Sequence, residues 1–301
     1  MIRILPLLLL IGAASPAPYT VDGRGFDRLQ EAVNAIGGGE GTIVVAPGVH
    51  RDCAVQEAGR ITYRAAVAGR AIFERVACEQ KAGLVLRGRG SRVEGLVFRG
   101  YAVPDGNGAG IRTETGDLHV SNSTFLDSEQ GILGGDRNVQ RITIDRSTFA
   151  DLGRCRPDEN CSHSLYLTSG TVTITRSRFE RGRGGHYVKL RAPRASVTDN
   201  SFDDTGGTRT NYMIDLPEGA TGLIARNVFV QGPQKENPTA MIVVRAEQST
   251  YPSDGLRIED NEARIAPGQP RPTTFVVDFS RDRLALGANR LGARIKALEV
   301  R

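Results

Sequence analysis

The sequence contains no Trp, and aromatic residues make up only 6% of it. Platforms that stack unpaired bases need such rings, so single-stranded nucleic acid is not an expected partner. Long apolar runs are missing as well. The run from Ile4 to Ile11 is too short for a permanent membrane span. Only four cysteines occur, none in C-x-x-C spacing and none joined by a His at finger spacing, which argues against a zinc-held fold. Strong charge is absent too: the formal net charge is +5, with a pI near 9.2, and it is spread along the chain. A mild basic excess fits an acidic polysaccharide as partner, and equally fits ordinary solubility.

What is present begins with MIRILPLLLLIGAAS, one Arg, a short apolar run and then Gly12, Ala13 and Ala14. That pattern predicts a secretory signal peptide over 1–14 and an exported protein, secreted or periplasmic. In an oxidising compartment an even cysteine count is read as disulfides. Cys53 and Cys78 lie 25 residues apart, and Cys155 and Cys161 bracket RPDEN, so these are the candidate pairs.

Residues 26–36 (FDRLQEAVNAI) place Phe26, Leu29, Ala32, Val33 and Ile36 at helical spacing, and GGGEG follows as a stop. The remainder is short β-rich runs that repeat. One position holds Phe98, Phe125, Phe149, Phe179, Phe202, Phe229, Ala263 and Leu291 in turn, at intervals of 23 to 34 residues. Two residues earlier stand Ser123, Ser147, Ser177, Asn200, Asn227, Asn261 and Asn289. Periods of this size mark a solenoid of stacked coils, in which equivalent residues form columns. The Ser and Asn column is read as structural, hydrogen-bonding along the stack. The expectation is one all-β domain over 15–301, of roughly eight to ten coils, with the helix at 26–36 as its N-terminal cap, and a monomer.

Four apolar segments carry the functional signal: HSLYL (163–167), HYVKL (186–190), YMIDL (212–216) and IVVRA (242–246). Aligned on their last residues, they put Tyr166, Lys189, Asp215 and Arg245 at one position, at intervals of 23, 26 and 30 residues. Strand alternation points these four away from the core that Leu165, Val188, Ile214 and Val244 enter. His163, His186 and Tyr212 align at the strand starts, and two of the chain's four histidines share that register. Asp278 in TFVVDF is assigned to the outward register as well.

The repeat over roughly 40–295 resembles the right-handed parallel β-helix proteins of the pectate-lyase type. That resemblance implies the fold and leaves function open, because lyases, hydrolases, epimerases and adhesins share it. HSLYL, HYVKLRA and YMIDLP also resemble a group of secreted β-helix proteins with an H-x-x-Y, H-x-x-K-S-R-A and Y-x-I-D-x-P-N-G-G series. Here Leu190 replaces the Ser, and Glu218-Gly219-Ala220 replaces Asn-Gly-Gly. This second likeness implies a shared site and names no reaction.

The residue types suit cleavage of a uronate polymer by elimination. That reaction needs a cation to quench the carboxylate, a base for the C5 proton, and an acid for the departing O4. Arg191 or Arg245 suits the first role, Lys189 or His186 the second, and Tyr166 or His163 the third. C5 epimerisation shares the first two steps and then reprotonates the opposite face. Asp215 flanks Lys189, and Tyr212, Arg245 and Asp278 are the expected substrate contacts. Glycoside hydrolysis needs two carboxyl groups about 5 to 9.5 Å apart, and Asp215 with Asp278 is the candidate pair for that alternative. A non-catalytic polysaccharide-binding or cell-envelope protein is the other alternative. No cofactor or metal is expected: calcium needs several converging oxygens, and only Asp158, Glu159 and Asn160 of CRPDENC offer a loop alternative.

Overall fold

The computed structural model describes residues 17–156 and 161–301, and over 135–140 the backbone alone. The expected signal peptide and the Asp158–Asn160 loop lie outside the described residues.

The chain winds into about nine coils of a right-handed parallel β-helix. One ten-stranded parallel sheet runs from Gly48–His50 to Arg290–Leu291. The other two faces join where two long strands, Ala109–Ser121 and Gln130–Asp145, bend round a corner. The first half of Ala109–Ser121 pairs with Ala82–Leu86 and its second half with Gly90–Glu94. The face carrying Leu165–Leu167, Val188–Leu190, Ile214–Leu216 and Ala240–Val244 is called the front face below.

The columns expected from the repeat form as side-chain stacks. Phe73, Phe98, Phe125, Phe149, Phe179, Phe202 and Phe229 lie fully buried, with successive ring centroids 4.8 to 5.6 Å apart. Each removes a large apolar surface from water, a contribution of roughly 1.5–3 kcal/mol per ring. Ala263 and Leu291 continue the register. Beside this stack runs the hydrogen-bonded ladder. The backbone N–H groups of Ser123, Ser147, Ser177, Asn200, Asn227 and Asn261 each donate to the side-chain oxygen of the next residue in the column. The residues just before them, Asn122, Arg146, Arg176, Asp199, Arg226 and Asp260, have φ between 45° and 61°. The left-handed corner turns the chain onto the next face, and the ladder satisfies the backbone donors that the corner takes out of the sheet.

The cap departs from expectation at its start. The helix is Leu29–Ile36, while Phe26 belongs to a strand, Arg24–Phe26, paired antiparallel with Tyr19–Val21. Arg28 at the N-cap makes no side-chain cap. Asp52 instead accepts from the Leu29 N–H at 2.7 Å, across 23 residues of sequence. Leu29, Ala32 and Val33 are buried against the first coil. Both disulfides form as paired above, Cys53–Cys78 and Cys155–Cys161. Among the described residues no helix is long and apolar enough to cross a membrane.

Candidate active site

On the front face Tyr166 pairs in register with Lys189, and Lys189 with Asp215. Each stands between two core residues of a three-residue strand, so alternation turns it outward while Leu165, Val188 and Ile214 enter the core. Two residues earlier, His163, His186 and Tyr212 also stack, with ring centroids 4.9 and 5.3 Å apart. The backbone N–H of His186 donates to Nδ1 of His163 at 3.0 Å, and that of Tyr212 to Nδ1 of His186 at 3.2 Å. Each Nδ1 lone pair is therefore in use, and the neutral ring carries its proton on Nε2.

This tautomer corrects the roles expected for the two histidines. Burial, reinforced by Lys189, pulls His163 down to about 3. Burial also holds His186 well below its usual value, with His163 and Lys189 adding to the effect. A neutral imidazole with its acceptor nitrogen occupied is neither base nor acid here. His186 instead sets its Nε2 3.4 Å from Asp215 Oδ2.

Lys189 is buried, with Nζ 3.3 Å from Asp215 Oδ2 and 2.5 Å from Glu247 Oε1. Burial raises the Asp215 carboxyl to about 6 against the pull of Lys189. Arg191, two residues beyond Lys189, donates from Nε to Tyr166 Oη at 2.8 Å and from Nη1 to Glu218 Oε1 at 2.9 Å. Its Nη2 grips Glu247 Oε2. Burial alone would raise the Glu247 carboxyl, but the bonds from Lys189 and Arg191 outweigh it and hold it below the usual carboxylate value. Lys189 Nζ also stands 5.8 Å from the centroid of the Tyr166 ring. Tyr166, Lys189, Arg191 and Glu247 line a cleft of about 920 Å³, with His163 and His186 beside them and Asp215 behind Lys189.

His163, Tyr166, His186, Lys189, Arg191 and Asp215 are thus brought together. Tyr212 packs on His186, and its hydroxyl accepts from Asn237 at 2.8 Å. Arg245 and Asp278 are not part of the site. Asp215 pairs with Val243, not Arg245, so the register assumed from IVVRA is two residues out. Arg245 follows the strand end with φ 56° and turns back to hold the carbonyls of Ser280 and Tyr251 and the carboxylate of Asp282. Asp278 pairs with Val244, in the core-facing column of Leu216, and its carboxylate accepts from the Ser280 N–H at 2.8 Å. The Asp215–Asp278 pair on which hydrolysis rested therefore does not exist.

Sequence reasoning missed Glu247, Glu218 and Gln130. Gln130 had a signal: it stands two residues before Ile132, as His163 stands before Leu165, and Ile132 pairs with Leu165. Glu247 had none, because it lies in the loop after Ala240–Val244 and reaches back over two coils. The Cys155, Cys161 and Glu236 ligand atoms lie within 4.8 Å of one another, but a disulfide uses both sulfurs, so this trio does not suit a metal.

A family model described as "Right handed beta helix region" matches residues 77–263. No curated protein matches the chain. Among solved structures, an alginate lyase of the PL6 family, AlyGC, is 16% identical with a TM-score of 0.51, over 85% of this chain and 40% of that one. The ORF18 protein of Geobacillus virus E2 is 13% identical with a TM-score of 0.53, over 93% of this chain and 58% of its own. The chain thus spans less than two thirds of either protein, and at these identities the likeness shows the fold alone.

Proposed function

The chain belongs to the right-handed β-helix family, and on that premise we propose that it is a carbohydrate-active enzyme acting on a uronate-containing polysaccharide by elimination or C5 epimerisation. The observation that carries the reading is the carboxylate of Glu247 held jointly by Lys189 and Arg191. The cleft is built to grip a carboxylate directly beside an amine, and a uronate takes that place when Glu247 swings aside. An alginate lyase on the same fold supports the reading.

With the substrate carboxylate on Arg191, the C5 proton becomes acidic and the Lys189 amine removes it. Asp215, raised to about 6 and 3.3 Å from Nζ, is placed to relieve Lys189 of a proton beforehand. In elimination the C5–H electrons form the C4–C5 double bond, the C4–O4 bond breaks, and Tyr166 protonates O4. The phenolate left on Tyr166 is stabilised by Arg191 Nε. In epimerisation the C5 carbanion takes a proton from water on the opposite face, the hydroxide left behind is neutralised by solvent, and O4 stays bound. His163 and His186 hold the strand starts through their Nδ1 atoms, and His186 orients Asp215. Two disulfides suit work outside the cytoplasm.

The test is a panel of uronate polymers, followed at 235 nm for unsaturated product and by NMR for inversion at C5. Turnover abolished by Lys189→Met supports the reading. Binding of the same polymers without chemical change, to wild type and variant alike, leaves a binding protein in its place.

A further inference from the structure

The cleft is polarised along the solenoid axis. Lys189 and Arg191 donate at one end and Asp105, Asn107 and Gln130 line the other, while the Glu236 carboxylate reaches the stretch between them, 3.9 Å from Cys161 Sγ. Gln130 is 1% exposed, yet its Oε1 has no hydrogen-bond partner among the described residues. Its Nε2 donates to Asn107 Oδ1 at 2.8 Å, which leaves Oε1 as the unpaired polar atom of a residue that lines the cleft. A buried acceptor left unpaired is destabilising, and a ligand donor would recover that cost. Asp105 and Glu236 are exposed in the same cleft, and neither has a cation partner among the described residues. One end of the cleft therefore asks for a carboxylate, and the other asks for donors and repels a carboxylate.

The separation between the ends decides what this means. Gln130 precedes Ile132, which pairs with Leu165, which pairs with Val188. Gln130 is therefore two coils from the Lys189 coil, about 10 Å at ordinary strand spacing. A group reaching it belongs to a neighbouring sugar, not to the one whose carboxylate is held at Arg191.

We propose that the cleft selects a heteropolysaccharide in which the reactive uronate is flanked by a sugar without a carboxylate, whose hydroxyl or amino donors meet Gln130, Asp105 and Glu236. This deepens the uronate reading and rests on it. A homopolyuronate would set a second carboxylate against two unneutralised carboxylates and leave the Gln130 acceptor unpaired, and such polar mismatches discriminate more strongly than lost contacts.

The experiment measures calorimetric affinity and turnover with length-matched oligosaccharides: homouronates, alternating uronate–hexose, alternating uronate–N-acetylhexosamine and alternating uronate–free amino sugar. The alternating oligomers are expected to bind at least tenfold more tightly than the homouronates. A preference for the free-amine arm identifies an ammonium as the donor, and equal alternating arms identify hydroxyls. Gln130→Leu is expected to weaken the alternating oligomers about tenfold and leave homouronates unchanged, while Asp105→Asn with Glu236→Gln strengthens homouronates. Homouronates bound as tightly as alternating oligomers, or Gln130→Leu acting equally on both, overturns the proposal while the uronate reading stands. Affinity indifferent to Lys189→Met and Arg191→Gln, or no binding in any arm, overturns the uronate reading and the proposal with it.

Discussion

Arg191 Nε donates to Tyr166 Oη at 2.8 Å while the same guanidinium grips Glu247. One planar cation thus touches both the proposed acid and the proposed carboxylate seat. Lysine cannot do both, since its single ammonium lacks the rigid fork. Arg191→Lys is expected to lower kcat/KM on the best uronate substrate about 10²–10³-fold, and Tyr166→Phe about 10²–10⁴-fold. The double variant should lose little more than the worse single one. Fully multiplicative losses would mean that the two side chains act independently.

Glu247 occupies the seat that a substrate carboxylate needs. Glu247→Gln keeps the shape and weakens the hold on Lys189 and Arg191, so oligouronate binding should tighten about tenfold, or about 1.4 kcal/mol. Titration calorimetry at low salt reads this directly. Unchanged or weaker binding would show that Glu247 supports the site instead of competing for it.

Asp215 gives the pH dependence its sign. Its carboxyl is raised from an ordinary 3.8 to about 6 in the folded protein. The folded state therefore holds the proton more tightly than the unfolded chain. The stability this contributes is fully present below pH 3.8 and is lost as pH rises through about 6. That difference corresponds to roughly 3 kcal/mol at most. Asp215→Asn should therefore melt above wild type at pH 8, with the gap closing toward pH 4. A gap independent of pH would remove Asp215 as the titrating group.

Lys189→Met leaves Asp215 buried opposite an apolar side chain. An orphaned buried charge costs about 3–5 kcal/mol, so the variant should melt several degrees below wild type at pH 8. Adding Asp215→Asn should restore most of the loss without restoring turnover. If the double variant melts as low as Lys189→Met, the deficit comes from packing and not from charge.

The ladder makes a prediction away from the cleft. The Asn227 side chain accepts from the Asn200 backbone N–H at 3.0 Å and donates to the Val197 carbonyl at 2.8 Å. Asn227→Ala should cost about 1–3 kcal/mol by chemical denaturation, because a buried donor and a buried acceptor lose their partners. Turnover per folded molecule should be kept. A loss below 0.5 kcal/mol would mean that water replaces the amide.

The sequence by itself determined whatever recurs once per coil. The Phe stack, the Ser and Asn ladder, the Cys53–Cys78 pair, and the meeting of Tyr166, Lys189 and Asp215 follow from a period and strand alternation, which place like positions above one another. Tertiary structure decided what the loops do. Between Leu216 and Ala240 the chain takes up extra residues, so where the next strand ends depends on how that insertion folds. Pairing of Leu216 with Val244 moved Arg245 and Asp278 out of the site. Glu247 enters because its loop folds back onto cations two coils away, and Asp52 caps a helix across 23 residues for the same reason. Contacts that a loop makes through space leave no period in the chain, so they become legible only once the coils are stacked.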